Sequence, residues 1–145
     1  MKKGLYVLIK KFVLLIKTIV FFFTVKMKYG RQIHLYLINS IKGKLQVHLL
    51  PNSFVDIGDF FMVEGPCYIK CLEKAILNVG DKCFLNHNCS ITCAERVDIG
   101  NECAIANNVV IIDHDHLVGN NGVENRLESS PIRIGNKVWI GANAV

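Results

Sequence analysis

The sequence predicts an all-β chain, a parallel β-helix of short strands wound in triangular coils, preceded by an N-terminal amphipathic helix. Three observations predict it. Aliphatic residues recur every six positions over residues 55–145, small apolar residues recur four positions after them, and the opening stretch is aliphatic and basic without a single acidic residue. At 145 residues the chain has the length of about one domain.

The formal net charge of +5 hides two unlike parts. Residues 1–55 hold ten Lys or Arg and no Asp or Glu, whereas residues 56–145 hold seven basic and twelve acidic residues, a balance of −5. A basic segment of this kind suits an anionic surface, lipid or nucleic acid. Its aliphatic content favours lipid, and no nucleic-acid partner is expected. The chain therefore divides into residues 1–54, helix and connector, and residues 55–145, the β-helix.

From Leu5 to Val25 the chain is mostly Leu, Val, Ile and Phe, interrupted by Lys10, Lys11 and Lys17. A spanning helix needs about 20 apolar residues, and each central lysine costs about 2.5–3.5 kcal/mol, so three of them disfavour a span. At roughly 100° per residue, Lys3, Lys10 and Lys17 superpose, with Lys11, Thr18 and Thr24 beside them, giving a polar arc of about 140° and a wide apolar face. This predicts peripheral membrane association through residues 1–25, the lysines turned to anionic headgroups. The alternative is a helix packed on the protein's own core or in an oligomer interface. Lysines break the apolar run and no small-x-small cleavage site follows Val25, which argues against a secretory signal. Residues 26–54 alternate basic and apolar residues around Gly30, Gly43 and Pro51 and read as a connector, with His34 and His48 as surface or packing residues.

The repeat is explicit in residues 55–145. Its aliphatic positions are Ile57, Val63 and Ile69, then Val79, Leu85 and Ile91, then Ile99, Ile105 and Ile111, then Ile134 and Ile140. Within a group the step is six; between groups it lengthens to ten from Ile69 to Val79 and to eight from Ile91 to Ile99. Three such steps close one triangular coil, and the longer steps are insertions at a corner. Four positions on from these residues stand Phe61, Cys83, Cys103 and Val138 in one column, and Cys67, Cys89, Val109 and Ala144 in the next. Four of the six cysteines are thereby explained. The other two are corner equivalents, because Ile69-Lys-Cys71-Leu-Glu73-Lys74 recurs as Ile91-Thr-Cys93-Ala-Glu95-Arg96. The expectation is a column of free, buried thiols in a reduced cytosolic fold, with no disulfide framework and no metal.

The third coil breaks the pattern. After Ile111, Asp113 stands where Cys71 and Cys93 stood, Asp115 where Glu73 and Glu95 stood, and His116 where Lys74 and Arg96 stood. The chain then leaves the coil through a loop, residues 113–130, before Pro131 and Ile134 resume the period. A loop with His and Asp at its mouth on a rigid repeat marks a functional candidate. His114 and His116, two apart on an extended segment, can also be read as half a zinc site.

These residues resemble the hexapeptide-repeat acyltransferases, whose β-helix is left-handed, and among them the sugar O-acetyltransferases of the galactoside and maltose type. The matching stretches are Phe84–Asn88, Ile99–Val109, the segment ending at His116, and Pro131–Ala142 with its Ile-Gly-Asn-Lys-Val-Trp-Ile-Gly-Ala run. The resemblance implies an acetyl-CoA-dependent transferase acting on a sugar or glycan hydroxyl in polysaccharide biosynthesis. It further implies a homotrimer and a cytoplasmic site, at the inner face of the cytoplasmic membrane if the N-terminal helix binds there. It places the catalytic histidine on His116 and the active-site asparagine on Asn86. Trp139, Gly141 and Ala142 fall beside the coenzyme A arm, and no metal is expected. An acidic acceptor contact of the sugar enzymes falls on Ala94, with Glu95 next to it, so the acceptor is left open. Family members carry further coils, and Ile140 opens a hexad whose next aliphatic position is 146, so the β-helix is expected to be incomplete at its C-terminus.

Acetyl transfer from a thioester to a hydroxyl needs a base for the hydroxyl proton and donors for the oxyanion. Histidine as a residue type exchanges its proton near neutral pH, and His116 suits the first role. His114, Asp113 and Asp115 are the supporting groups, either aspartate or Glu128 holding the second ring nitrogen. Asn86, or the backbone N–H groups of Gly141 and Ala142, suit the oxyanion. Two other readings use the same residues: a zinc-dependent lyase of the carbonic anhydrase kind, and an inactive, truncated scaffold.

Overall fold

The computed structural model describes residues 2–145, with side chains from residue 4 onward, so Lys3 of the predicted arc lies outside the described side chains. An α-helix, Lys2–Tyr29, is followed by a parallel β-helix. Its coils stack with their strands in three sheets of five, five and four parallel strands, one sheet to each face of the triangle. The first face carries Ile33–His34, Phe54–Ile57, Ile76–Val79, Arg96–Ile99 and Ile132–Ile134; the second carries Ser40–Ile41, Met62–Val63, Phe84–Leu85, Ala104–Ile105 and Trp139–Ile140. The third carries Leu45–Leu49, Cys67–Cys71, Ser90–Cys93 and Val110–Ile112.

The period of six is the register of these sheets. Ile57 pairs with Val79, which pairs with Ile99 and then Ile134; Val63, Leu85, Ile105 and Ile140 align on the second face, and Ile69, Ile91 and Ile111 on the third. Val63, Ile69, Leu85, Ile91 and Ile105 are all buried, as are the six free cysteines. Removal from water pushes the Cys83 thiol up to about 11, and the hydrogen bond with Cys71 together with burial pushes Cys93 up. These thiols fill the interior as small apolar groups.

The corner between the first and second faces repeats a short turn. At its third position Phe60, Lys82, Glu102 and Lys137 adopt left-handed backbone, with φ of 56°, 56°, 59° and 58°. One residue earlier runs a ladder of side-chain acceptors: Asp59 N–H donates to Asp81 Oδ1, Asp81 N–H to Asn101 Oδ1 and Asn101 N–H to Asn136 Oδ1, each at 2.8 Å. At Gly58, Gly80 and Gly100 the preceding position is closed to a side chain: a Cβ on Gly80 would meet Asn101 Oδ1 at 2.4 Å and the Gly100 backbone at 2.8 Å.

The β-helix starts earlier than residue 55. Residues 33–49, read from the sequence as connector, form a complete first coil whose Ile33, Ile41 and Val47 pair with Val55, Val63 and Ile69. The same period of six was present in Leu35, Ile41 and Val47, hidden because Asn39 takes a position held elsewhere by Phe or Cys. Asn39 is buried there, its Oδ1 accepting the Phe61 N–H at 3.0 Å.

The helix closes the open end of this first coil. Lys26 Nζ donates to the Ile33 carbonyl at 2.7 Å, Thr18 Oγ1 accepts the Ile41 N–H at 3.2 Å, and the Tyr29 hydroxyl donates to the Val47 carbonyl at 2.7 Å. One edge group on each of the three faces is thereby satisfied, which removes the edges as templates for pairing. Thr18 and Val25 are buried, with Phe21, Phe22 and Tyr29 packed beside them. Thr18, assigned from the sequence to the polar arc, thus lies on the packed face. Packing on the protein's own core therefore holds for one apolar stripe of the helix, while a second is exposed.

Stacked columns predict a gradient of sensitivity along the solenoid. Ile91→Ala, in a fully enclosed coil, should lower unfolding free energy by about 3 kcal/mol, and Ile134→Ala, partly exposed in the last coil, by about 1 kcal/mol, measured by urea denaturation.

Candidate active site

Where the period breaks, the chain forms an antiparallel hairpin, His114–Gly119 with Gly122–Ser129, projecting from the corner between the third and first faces. The predicted loop over residues 113–130 is thus a two-stranded ribbon, closed at its base by the Ser130 N–H donating to the Asp113 carbonyl at 2.9 Å.

Asp113 stands directly after Ile112 in the column of Leu49, Cys71 and Cys93, and its side chain is fully enclosed. Its carboxylate faces the corner of the coil beneath. Oδ1 accepts the Ala94 N–H at 2.6 Å, and Oδ2 accepts the Glu95 and Arg96 N–H groups at 2.8 and 2.9 Å, with Cys93 Sγ at 3.4 Å. The corner of the preceding coil is satisfied differently: there Lys74 has φ of 64° and the Ala75 N–H bonds the Leu72 carbonyl at 3.1 Å. The step from Ile91 to Ile99 is two residues shorter than that from Ile69 to Val79, and the shortened corner turns three N–H groups toward an acceptor supplied by the next coil. Burial opposes the charge on Asp113, but the bonds from Ala94 N–H, His114 and Glu95 N–H outweigh it and hold the carboxyl below its ordinary 3.8.

The same carboxylate takes His114. Its Nδ1 lies 2.9 Å from Asp113 Oδ1, and the ring is only 10 % exposed. An ionised carboxylate only accepts, so the Nδ1 proton is fixed by Asp113 and the lone pair of the neutral ring resides on Nε2. His116, two residues on, is exposed, with Nδ1 3.4 Å from the Glu124 carbonyl and no carboxylate partner. Asp115 is exposed and sits opposite Glu128 in the hairpin register. A cleft of about 630 Å³ at the hairpin base is lined by His114, Asp115, Glu128, Ser129 and Pro131. Ser129 Oγ donates to Glu95 Oε2 at 2.8 Å, tying hairpin to coil. Neither this contact nor the Asp113 cap followed from sequence; the eight-residue step from Ile91 to Ile99 is the one signal that pointed to the cap.

The other residues singled out lie elsewhere. Asn86 follows the strand Phe84–Leu85, at the corner between the second and third faces, its Oδ1 2.9 Å from the His87 N–H and 2.8 Å from His87 Nδ1. Trp139 is 75 % exposed on the second face, and Gly141 and Ala142 continue toward the corner that Asn86 occupies two coils below. One chain therefore brings Asp113 and His114 together but places Asn86, Trp139, Gly141 and Ala142 at a different corner from His116. Among the described residues, no three His, Cys, Asp or Glu side chains come together to hold a metal ion. No known protein family, curated protein or solved structure matches the chain.

Asp113→Ala leaves three backbone donors without their acceptor and should cost about 3 kcal/mol of stability. Because the folded-state pKa of Asp113 is depressed, its contribution is complete above 3.8 and is lost as pH falls through the lower folded value. Urea midpoints followed from neutral pH downward should therefore fall more steeply for the native chain than for Asp113→Asn.

Proposed function

We propose that the chain is an acetyl-CoA-dependent O-acetyltransferase that acetylates a sugar hydroxyl of a cell-surface polysaccharide or its precursor. It works in the cytoplasm, where its co-substrate is made, as a homotrimer. The observation that carries this reading is a hexapeptide solenoid interrupted at one corner by a hairpin that bears two imidazoles, His114 lining the cleft at its base and His116 exposed two residues further out.

The acceptor hydroxyl attacks the thioester carbonyl, and a histidine takes its proton as the new C–O bond forms. The tetrahedral oxyanion then collapses, the C–S bond breaks, and the coenzyme leaves as a thiolate that picks up a proton. The resemblance to the sugar acetyltransferases gives the base role to His116, which its exposed place on the ribbon leaves accessible. Asp113 and His114 form a rigid mount beneath it. The separation of His116 from Asn86, Trp139, Gly141 and Ala142 supports assembly between subunits. In that arrangement the hairpin of one copy meets the second-to-third corner of another, where Trp139 flanks the pantetheine arm and Asn86 or the Gly141 and Ala142 N–H groups receive the oxyanion.

No observation favours the zinc-lyase reading. His114 Nδ1 faces Asp113 and His116 Nδ1 faces the Glu124 carbonyl, and among the described residues no third His, Cys, Asp or Glu joins them.

The proposal predicts thiol release from acetyl-CoA in the presence of an accepted sugar. His116→Ala should lower kcat about 10²–10⁴-fold, with the KM for acetyl-CoA nearly unchanged. An unchanged kcat would overturn the assignment of the base; loss confined to His114→Ala would transfer it to the imidazole that Asp113 holds.

A further inference from the structure

The N-terminal helix has two apolar stripes, and the solenoid uses one. Leu14, Thr18, Phe22, Val25 and Tyr29 form the packed stripe. Half a turn away run Leu5, Ile9, Phe12, Ile16, Val20, Phe23 and Met27, at successive steps of four, three, four, four, three and four. All seven are exposed, from 45 % at Ile16 to 87 % at Met27. No charged residue interrupts this outer stripe, which runs for about 33 Å at 1.5 Å per residue. Residues 4–13 are all exposed.

The charges lie along the flank of this stripe. Lys10, Lys17 and Lys28 follow one line beside it and are exposed. Lys42 and Lys44 of the first coil line the grooves beside the helix, with Ile9, Ile16 and Val20 at the edge of the outer stripe lining them from the other side. No acidic residue occurs before Asp56. Among the described residues, no helix is long and apolar enough to cross a membrane.

We infer that the outer stripe seats the protein on an anionic lipid surface, the helix lying in the plane of the headgroups. An uninterrupted apolar line enters the acyl boundary by about 5–10 Å, while lysines at its flank meet lipid phosphates. A second copy is a poorer occupant, because apposed helices would set Lys10, Lys17 and Lys28 against their own like charges with no carboxylate in the segment to pair them. The arrangement also orients the molecule. The helix covers the first coil, and the hairpin leaves the fourth coil, about 14 Å further along at three steps of roughly 4.8 Å. Its cleft therefore lies on the side away from the bilayer. This inference is independent of the acetyl-transfer reading.

The test is flotation of the full chain with phosphatidylcholine vesicles, with and without about one third phosphatidylglycerol. The chain should float with the anionic vesicles and dissociate as salt rises. Leu5→Ser/Phe12→Ser/Met27→Ser, at exposed positions clear of the grooves against the first coil, should lower partitioning at least about tenfold while leaving the melting transition in place. Lys10→Glu and Lys17→Glu should each weaken binding to anionic vesicles about fivefold and erase their advantage over neutral ones. Failure of the native chain to float would overturn the inference. So would undiminished binding by the serine variant, or sedimentation showing that the serine variant separates an assembly which the native chain forms through this face.

Discussion

Every interior side chain in this solenoid rests on the one beneath it, and that vertical contact is the constraint on which the rest depends. A strand of two to five residues has no independent stability, so each coil is ordered by the surfaces above and below it. The columns hold Val, Leu and Ile at one set of positions and mostly Cys, Val or Ala at the other, with Asn39 and Phe61 occupying the first two coils of one column. Corners are freer, because only their backbone geometry and a ladder of Asp and Asn acceptors must be kept.

Ends and interruptions are where such a stack needs special solutions, and the chain uses two. At its first coil the edge of each sheet is met by a side chain of one helix: lysine, threonine and tyrosine, each reaching a different face. At the departure of the hairpin, an enclosed aspartate replaces a cysteine and takes up the donors of the corner beneath. The second solution joins structure to chemistry, since the carboxylate that completes the corner also fixes an imidazole at the mouth of a cleft. A corner that needed an acceptor has become a mount for titratable groups.

The columns were legible in the sequence because a period of six with inward side chains leaves a direct trace in residue type. The six cysteines were legible for the same reason. The first coil was not, although Leu35, Ile41 and Val47 keep the period, because a buried asparagine and a lysine-rich setting disguise it. The helix was legible as amphipathic, but its orientation was not. Thr18 looks like part of a polar surface in a helical projection, yet it is buried because a single N–H of the first coil requires an acceptor at that point. In the candidate site, the sequence singled out Asp113, His114 and His116 as a group. Which imidazole the aspartate holds depended on the hairpin's direction of departure, a tertiary property. The placement of Asn86 and Trp139 at another corner follows from counting faces, and becomes visible only once the coils are closed.

On the proposed function, the hairpin is an addition to a solenoid that stands without it. Because the Ser130 N–H already bonds the Asp113 carbonyl, residues 114–129 can be excised and the gap closed with a short glycine link. The account predicts that this variant keeps a cooperative melting transition and the far-ultraviolet spectrum of the native β-helix, while acetyl transfer from acetyl-CoA to an accepted sugar disappears. Transfer at the native rate in the shortened protein would contradict it.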